Sequence, residues 1–327
     1  MYKLLIIWLI ILSTSLQGFG QVPPFSDQFL VNSFLTNPAL AGTSRLAPLT
    51  VSVRQQWMGL TTAPLYQAIS YHKSMMEKGQ RYNPRGLLNR GENSFGKIGI
   101  GGGLFNMNYG AVNQLGIHLD YGYHVFLNNG RLSFGLAVLY QRFAIKTDNF
   151  IRPDGTLPDE FLDNLAELNG TVNIFDATVG THYQSNFFFA GGSVINLFNS
   201  SVRFKSDLMF DQDGTKYTNR FLSRTAYLYG GISPSIGKYL AIKPSVLVKF
   251  NTPEGFSFQG NAIISFSEKV ETGALFRYAI NSREESIGLF LGIKALNVLI
   301  RYQFEYPIGT ALGPNRITNQ ILLGYLL

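Results

Sequence analysis

The sequence predicts an all-β fold, a transmembrane antiparallel barrel of about fourteen strands. Three observations predict it: a period of two along nearly every segment after residue 50, a charged fraction of 14% beside an aromatic fraction of 14%, and connections that alternate between short and long. No later run offers the roughly 18 consecutive apolar residues of a spanning helix.

Residues 1–20 precede the fold. Lys3 supplies a positive start, residues 4–12 an apolar run, and Gly18 and Gly20 small residues ahead of a cut before Gln21. That is the pattern of a cleaved signal peptide, too short for a spanning helix, and it predicts export and an outer-membrane location. The sequence contains no cysteine, which excludes a lipid-modified lipoprotein, a disulfide framework, thiolate metal sites and a cysteine nucleophile. The formal net charge is +7, yet the basic residues are dispersed rather than gathered on one stripe or helix. No nucleic-acid partner is expected; a lipid surface or an acidic protein fits dispersed charge better.

Residues 21–48 form an N-terminal segment ahead of the barrel, residues 49–327. Pro38 fixes its own φ and pushes Asn37 toward extended geometry, and Gly42 permits a tight bend, so residues 25–48 read as compact and non-repetitive. Such a segment either plugs the lumen of a wide barrel or serves as a plain lead-in turn to the first strand.

The strands follow. In residues 131–143, Leu132, Phe134, Leu136, Val138 and Tyr140 share one face, while Ser133, Gly135, Ala137 and Gln141 lie on the other. Apolar side chains outward and small or polar ones inward describe a membrane barrel strand. Such runs centre near residues 53, 69, 101, 119, 137, 178, 192, 230, 245, 261, 274, 290, 301 and 323. Short turns at 127–130, 185–186, 237–238, 267–269 and 295–297 alternate with longer connections at 144–171, 198–223, 251–255, 280–285 and 306–318. The short ones belong on the periplasmic side and the long ones outside. Residues 73–95 break the rule: they are long and basic where a short turn is expected, with Arg81, Arg85 and Arg90, and read as a partner-facing loop or a misplaced early strand. A soluble sandwich is the competing fold, but its watered faces would carry more Lys, Glu and Asp. Trp57, Tyr121, Tyr123, Phe126, Tyr140 and Phe143 near strand ends fit interfacial aromatic girdles, or core packing in a soluble fold.

Catalytic chemistry is sparse. His72, His118, His124 and His182 are scattered and read as lumen or interface residues, and no phosphate loop, nucleophile elbow or paired metal-binding histidines occur. The glycines of residues 99–103 alternate along a strand without a following helix, which suits close packing rather than a dinucleotide loop. Asp211 and Asp213 open a calcium-loop pattern that lacks downstream ligands and reads as a turn. Asp154, Asp159, Glu160, Asp163 and Glu167 form an acidic cluster in a long outer connection, better read as a solvated helix face than as a glycosidase pair. Together with residues 198–223 it is the candidate surface for a partner. The expectation is a non-enzyme without cofactor or metal.

The stretch at residues 27–45, then Arg54, Gln56, Trp57 and Gly59, then Pro64, resembles the start of the PorP/SprF family of type IX secretion and gliding proteins of Bacteroidota. The resemblance rests on Asn37, Pro38 and Ala39 with Ala41 and Gly42 close behind, and residues 96–138 resemble the family's next strands. It implies a non-enzymatic outer-membrane component that presents or retains secreted adhesins bearing a C-terminal sorting domain, with periplasmic ring and lipoprotein partners of the secretion and gliding machinery. The chain departs from the usual barrel pattern in ending on Leu327, with Tyr325 third from last. Asn-Pro-Ala ahead of a barrel also resembles the hatch of FadL-type channels for hydrophobic small molecules; an apolar lumen would favour that alternative, a polar or sealed lumen the anchor.

Overall fold

Each of the fourteen positions on which the sequence centres a strand falls inside a strand. The structure, a computed structural model, describes residues 28–44, 46–59, 62–75, 97–127, 129–145, 171–198, 222–236, 239–251, 255–267, 269–281, 284–308 and 317–327. In chain order the strands are β1 (Pro48–Gln55), β2 (Leu65–Met75), β3 (Ile98–Tyr109), β4 (Val112–Leu127), β5 (Gly130–Ile145), β6 (Thr171–Ser185), β7 (Phe188–Ile195) and β8 (Thr225–Ile232). They continue with β9 (Ser235–Ile236), β10 (Leu240–Asn251), β11 (Gly255–Phe266), β12 (Val270–Ala279), β13 (Glu284–Ala295), β14 (Val298–Pro307) and β15 (Thr318–Leu326).

Sequential neighbours pair antiparallel, and β15 returns to β1, with Pro48 opposite Leu326 and Gln55 opposite Asn319. β8 and β9 are two pieces of one stave, since both pair with β10; Pro234, which has no amide to donate, sits in the break. The result is a closed barrel of fourteen staves, with no sheet edge left to satisfy in hydrocarbon.

Alternation decides which face is which. On β5, Phe134, Leu136 and Val138 point outward and are exposed, while Ser133, Ala137, Leu139 and Gln141 are buried inside. The same division places Leu119 (68% exposed), Phe175 (69%) and Leu289 (64%) on the outer wall, and Thr50, Ser52, His72, His118, Asp120 and His182 in the interior. An apolar outer belt around a polar interior is the reverse of a soluble core and suits lipid outside. Among the described residues no helix is long and apolar enough to cross a membrane.

Aromatic rings mark the outer wall near both mouths: Tyr121 and Tyr123 toward one, and Tyr140 tilted against Phe175 with ring centroids 5.0 Å apart toward the other. Phe143 departs from the girdle expectation. It lies on the odd-numbered, inward face of β5 and is buried with Ile174 and Leu222, because the strand alternates past Arg142 and returns the ring to the interior.

β1 begins and β15 ends at one mouth. There the connections at residues 128–129, 186–187, 237–239, 267–269 and 296–297 are short, and β2 ends and β3 begins on that side. At the opposite mouth lie the strand ends that the longer connections join (β5 to β6, β7 to β8 and β14 to β15), together with one two-residue turn at 110–111 that Gly110 makes possible at φ 59°. We call these the terminal mouth and the loop mouth.

Candidate functional site

The interior of the barrel is occupied by residues 28–44. This stretch contains two short 3-10 turns, Ser33–Leu35 and Pro38–Leu40, and is otherwise irregular. Asn37 is extended at φ −145°, as a residue before proline must be, and its side chain accepts the Ala39 amide at 2.9 Å to cap the second turn. Gly42, at φ +70°, turns the chain toward β1.

A row of glycines on the wall makes room for it. Gly99 pairs with Gly122, Gly122 with Gly135 and Gly135 with Gly180, so one glycine on each of β3, β4, β5 and β6 lines up at right angles to the strands. A Cβ at Gly99 would overlap the Ala41 carbonyl, one at Gly135 the Pro38–Ala39 peptide, and one at Gly180 the Asn37 side-chain oxygen. At Gly122 it would stand 2.9 Å from the Ala41 oxygen. The row continues in register to Ser193 on β7, whose hydroxyl donates to the Thr36 carbonyl at 2.6 Å. Residues 36–42 therefore lie across β3–β7 in a groove with backbone on both sides.

The polar contacts along the groove go mainly to main-chain atoms. Besides Ser193, His124 Nε2 meets the Ala41 carbonyl at 2.9 Å while its Nδ1 meets Ser133 Oγ at 2.8 Å. The Gly42 amide donates to His72 Nδ1 at 3.2 Å, and Arg131 donates to the Thr43 carbonyl at 3.2 Å. On the far wall, Arg301 donates to the Val31 carbonyl at 3.0 Å. Satisfying these groups is what allows irregular backbone to sit dry inside a barrel. Side chains of the segment add Asn37, which donates to the Thr181 and Gly192 carbonyls and to the Tyr229 hydroxyl at 3.0, 3.3 and 2.9 Å, and Asn32, which donates to Thr50 and Ser70. Gln320 donates to Gln28.

Three apolar anchors hold the segment against different sectors of the wall. Leu35 packs with Tyr66, Ala68, Phe105, Met107 and Leu139; Phe29 with Ile195, Tyr227, Tyr229 and Leu247; Val31 with Phe290 and Leu322. A cavity of about 210 Å³ remains beside Asn32, Phe34, His72, Thr50 and Arg301. That is below the ~300 Å³ at which small-molecule pockets begin.

Two ion-pair clusters brace the wall itself. Toward the loop mouth, Glu305 is held by Arg54 at 2.9 Å and Arg277 at 3.0 Å and accepts from Gln303, while Arg277 also donates to Gln259. Toward the terminal mouth, Glu271 meets Lys243 at 2.8 Å and Arg301 at 3.5 Å. Each joins staves that alternate apolar-out and sets one carboxylate between two cations on the inner face, where lipid cannot reach them. Sequence reasoning did not find these partners, because Arg54 and Glu305 are brought together only by closure of the barrel.

The motif residues divide between two places. Asn37, Pro38, Ala39, Ala41 and Gly42 sit together in the glycine groove. Arg54 is in the loop-mouth ion-pair cluster, and Gln56, Trp57 and Gly59 lie in the β1–β2 connection, where the Gln56 amide donates to the Pro64 carbonyl and Trp57 and Gly59 take positive φ of 55° and 98°. Arg81, Arg85, Arg90, Asp154, Asp159, Glu160, Asp163, Glu167, Asp211 and Asp213 lie outside the described residues. Among the described residues no group of His, Asp and Glu is placed to hold a metal ion.

No curated protein matches the chain. Solved structures similar to it include the outer membrane protein Omp33 of Acinetobacter baumannii, at 10% identity and TM-score 0.45 over 87% of this chain and 100% of that one. The KdgM porin, in complex with disordered oligogalacturonate, gives 9% identity and 0.37 over 86% and 99%. A Rhodopseudomonas blastica porin mutant gives 8% and 0.36 over 86% and 99%. At these scores the likeness carries no argument, and the barrel rests on the strand pairing described above. The sequence, by contrast, is matched from residue 18 to residue 325 by the profile of the type IX secretion system membrane protein PorP/SprF, and on that match this chain belongs to the PorP/SprF family.

Proposed function

We propose that the chain is a plugged, non-enzymatic outer-membrane component of the type IX secretion and gliding machinery that binds secreted surface proteins bearing a C-terminal sorting domain and holds them at the cell surface. The observation that carries this reading is the occupied lumen: residues 28–44 reach the walls of β1–β3, β5–β8, β10, β13 and β15 at once, through Asn32, Leu35, Asn37, Phe29 and Val31. A barrel with a filled interior works through its mouths rather than as a conduit. Binding then belongs to the long connections, residues 144–171 and 198–223 for the client and residues 73–95 for ring and lipoprotein partners.

The polar wall supports the anchor over a channel for hydrophobic small molecules. Thr50, Ser52, His118, Asp120, Ser133 and Gln141 face the interior, where a FadL-type route would need continuous apolar lining.

A cross-linked pull-down of tagged protein from native envelopes, read by mass spectrometry, tests the reading. Recovery of secretion-motor components or a large surface adhesin supports it; recovery of the barrel alone with bound lipid overturns it. In planar bilayers, deletion of residues 28–44 opens conductance if the segment is a plug, and an unchanged trace leaves it a plain lead-in turn.

A further inference from the structure

The glycine groove holds its occupant in an unusual way. Its polar partners address main-chain atoms at the Thr36, Ala41 and Thr43 carbonyls and the Gly42 amide, and Asn37 is the one side chain of residues 36–43 that hydrogen-bonds the wall. The four register-aligned glycines then impose a size limit: Ala39 and Ala41 are buried against them, and Gly42 lies close enough to Gly99 that neither position has room for a larger group. Main-chain hydrogen bonding together with a steric limit is how a protein surface recognises a polypeptide while reading few of its side chains.

We propose that the row Gly99, Gly122, Gly135, Gly180, with Ser193, His124, His72 and Arg131 around it, is a peptide-binding site that residues 36–43 fill as a built-in ligand. Its ligand class is a polypeptide with asparagine-proline followed by small residues, bound through its main chain and able to occupy the groove without covalent connection to β1. The inference rests on the plug reading and deepens it: the plug and the wall are ligand and receptor, so closure is a binding equilibrium that a second chain of the same pattern enters by competition. Covalent attachment gives the built-in ligand a high effective concentration and keeps the resting barrel closed.

The test uses the barrel lacking residues 28–44 in planar bilayers and a synthetic peptide of residues 34–44. The deletion variant is expected to conduct, and the peptide to abolish the added conductance in a saturable manner. The same peptide carrying Ala39→Tyr is expected to leave the conductance open, as is the original peptide added to the deletion variant carrying Gly135→Val. Where the deletion variant does not assemble, the full-length chain with Ala39→Tyr keeps the wall intact, displaces the segment and serves as the open barrel for the same additions. An open barrel that the peptide does not close overturns the peptide site and leaves the plug standing. A barrel whose conductance does not rise without its segment overturns both.

Discussion

Gly135 faces the Pro38–Ala39 peptide with no space for a side chain between them: a Cβ built on this glycine would overlap the Ala39 amide nitrogen. The contact joins the sixth residue of β5 to a turn nearly a hundred positions upstream, and it makes the wall and the segment sterically dependent on each other.

Gly135→Val is therefore expected to expel the segment without unmaking the barrel. Valine suits a strand, so the stave itself tolerates it, while the overlap inside costs about 1–3 kcal/mol and is relieved by displacement of residues 38–41. Heat-modifiable migration in gels should persist and bilayer conductance should rise. Gly260→Val is the control, since an added Cβ there meets nothing within 4 Å; its trace should match the unmodified chain.

Asn37→Asp should loosen the segment more than Asn37→Ala does. The amide donates to two strand carbonyls and to the Tyr229 hydroxyl, and its oxygen caps the second turn. Alanine forfeits these bonds, at about 1–3 kcal/mol. Aspartate keeps the cap but sets a charged acceptor against the Thr181 and Gly192 carbonyl oxygens, a buried charge that no cation neutralises there. Limited proteolysis in detergent, scored by the rate of cleavage within residues 28–44, should rank the three chains in the order Asp, Ala, Asn from fastest to slowest.

Glu305→Gln removes the carboxylate that both Arg54 and Arg277 address. Two guanidinium groups then face each other across the interior, and the expected loss is about 3–5 kcal/mol. It would appear as a lower urea midpoint for unfolding from lipid vesicles. Arg54→Met in the same chain should recover part of the loss, because one of the stranded charges is gone.

Leu136 stands on the outer wall near the middle of β5, between exposed Phe134 and Val138. Arginine there should cost about 2–4 kcal/mol of barrel stability, the penalty for a cation near the bilayer midplane. Leu136→Phe should stay within about 0.5 kcal/mol. The same unfolding assay separates the two, and equal midpoints would mean that this face does not meet hydrocarbon.

The barrel was legible in the sequence because its signal is local. Alternation along residues 132–141 reports which side chains share a face, and each stave repeats the pattern independently of the others. The N-terminal turn was legible for the same reason, since Pro38 and Gly42 constrain only their own surroundings. The groove was not. Gly99 and Gly135 are readable one at a time as small residues of their strands, but their alignment with Gly122 and Gly180 depends on the register set by three connections, one of which spans residues 146–170. The Arg54–Glu305 pair, 251 positions apart, was hidden in the same way. Phe143 shows the limit of counting from strand ends: a ring near a terminus of β5 faces lipid or lumen according to whether its number is even or odd, and odd places it inside.

Leu327 and Ala47 exchange two main-chain hydrogen bonds, at 3.1 and 3.0 Å, where the strap leaving the lumen becomes the first stave. The consequence is one of order in time. The segment that fills the interior comes early in the chain, yet the staple that fixes its exit comes from the end of β15, so the segment cannot be fixed until β15 has been laid beside β1. Loss of the pairing between β15 and β1 would leave an open seam beside β1 and an untethered strap, with the interior exposed along an unpaired edge.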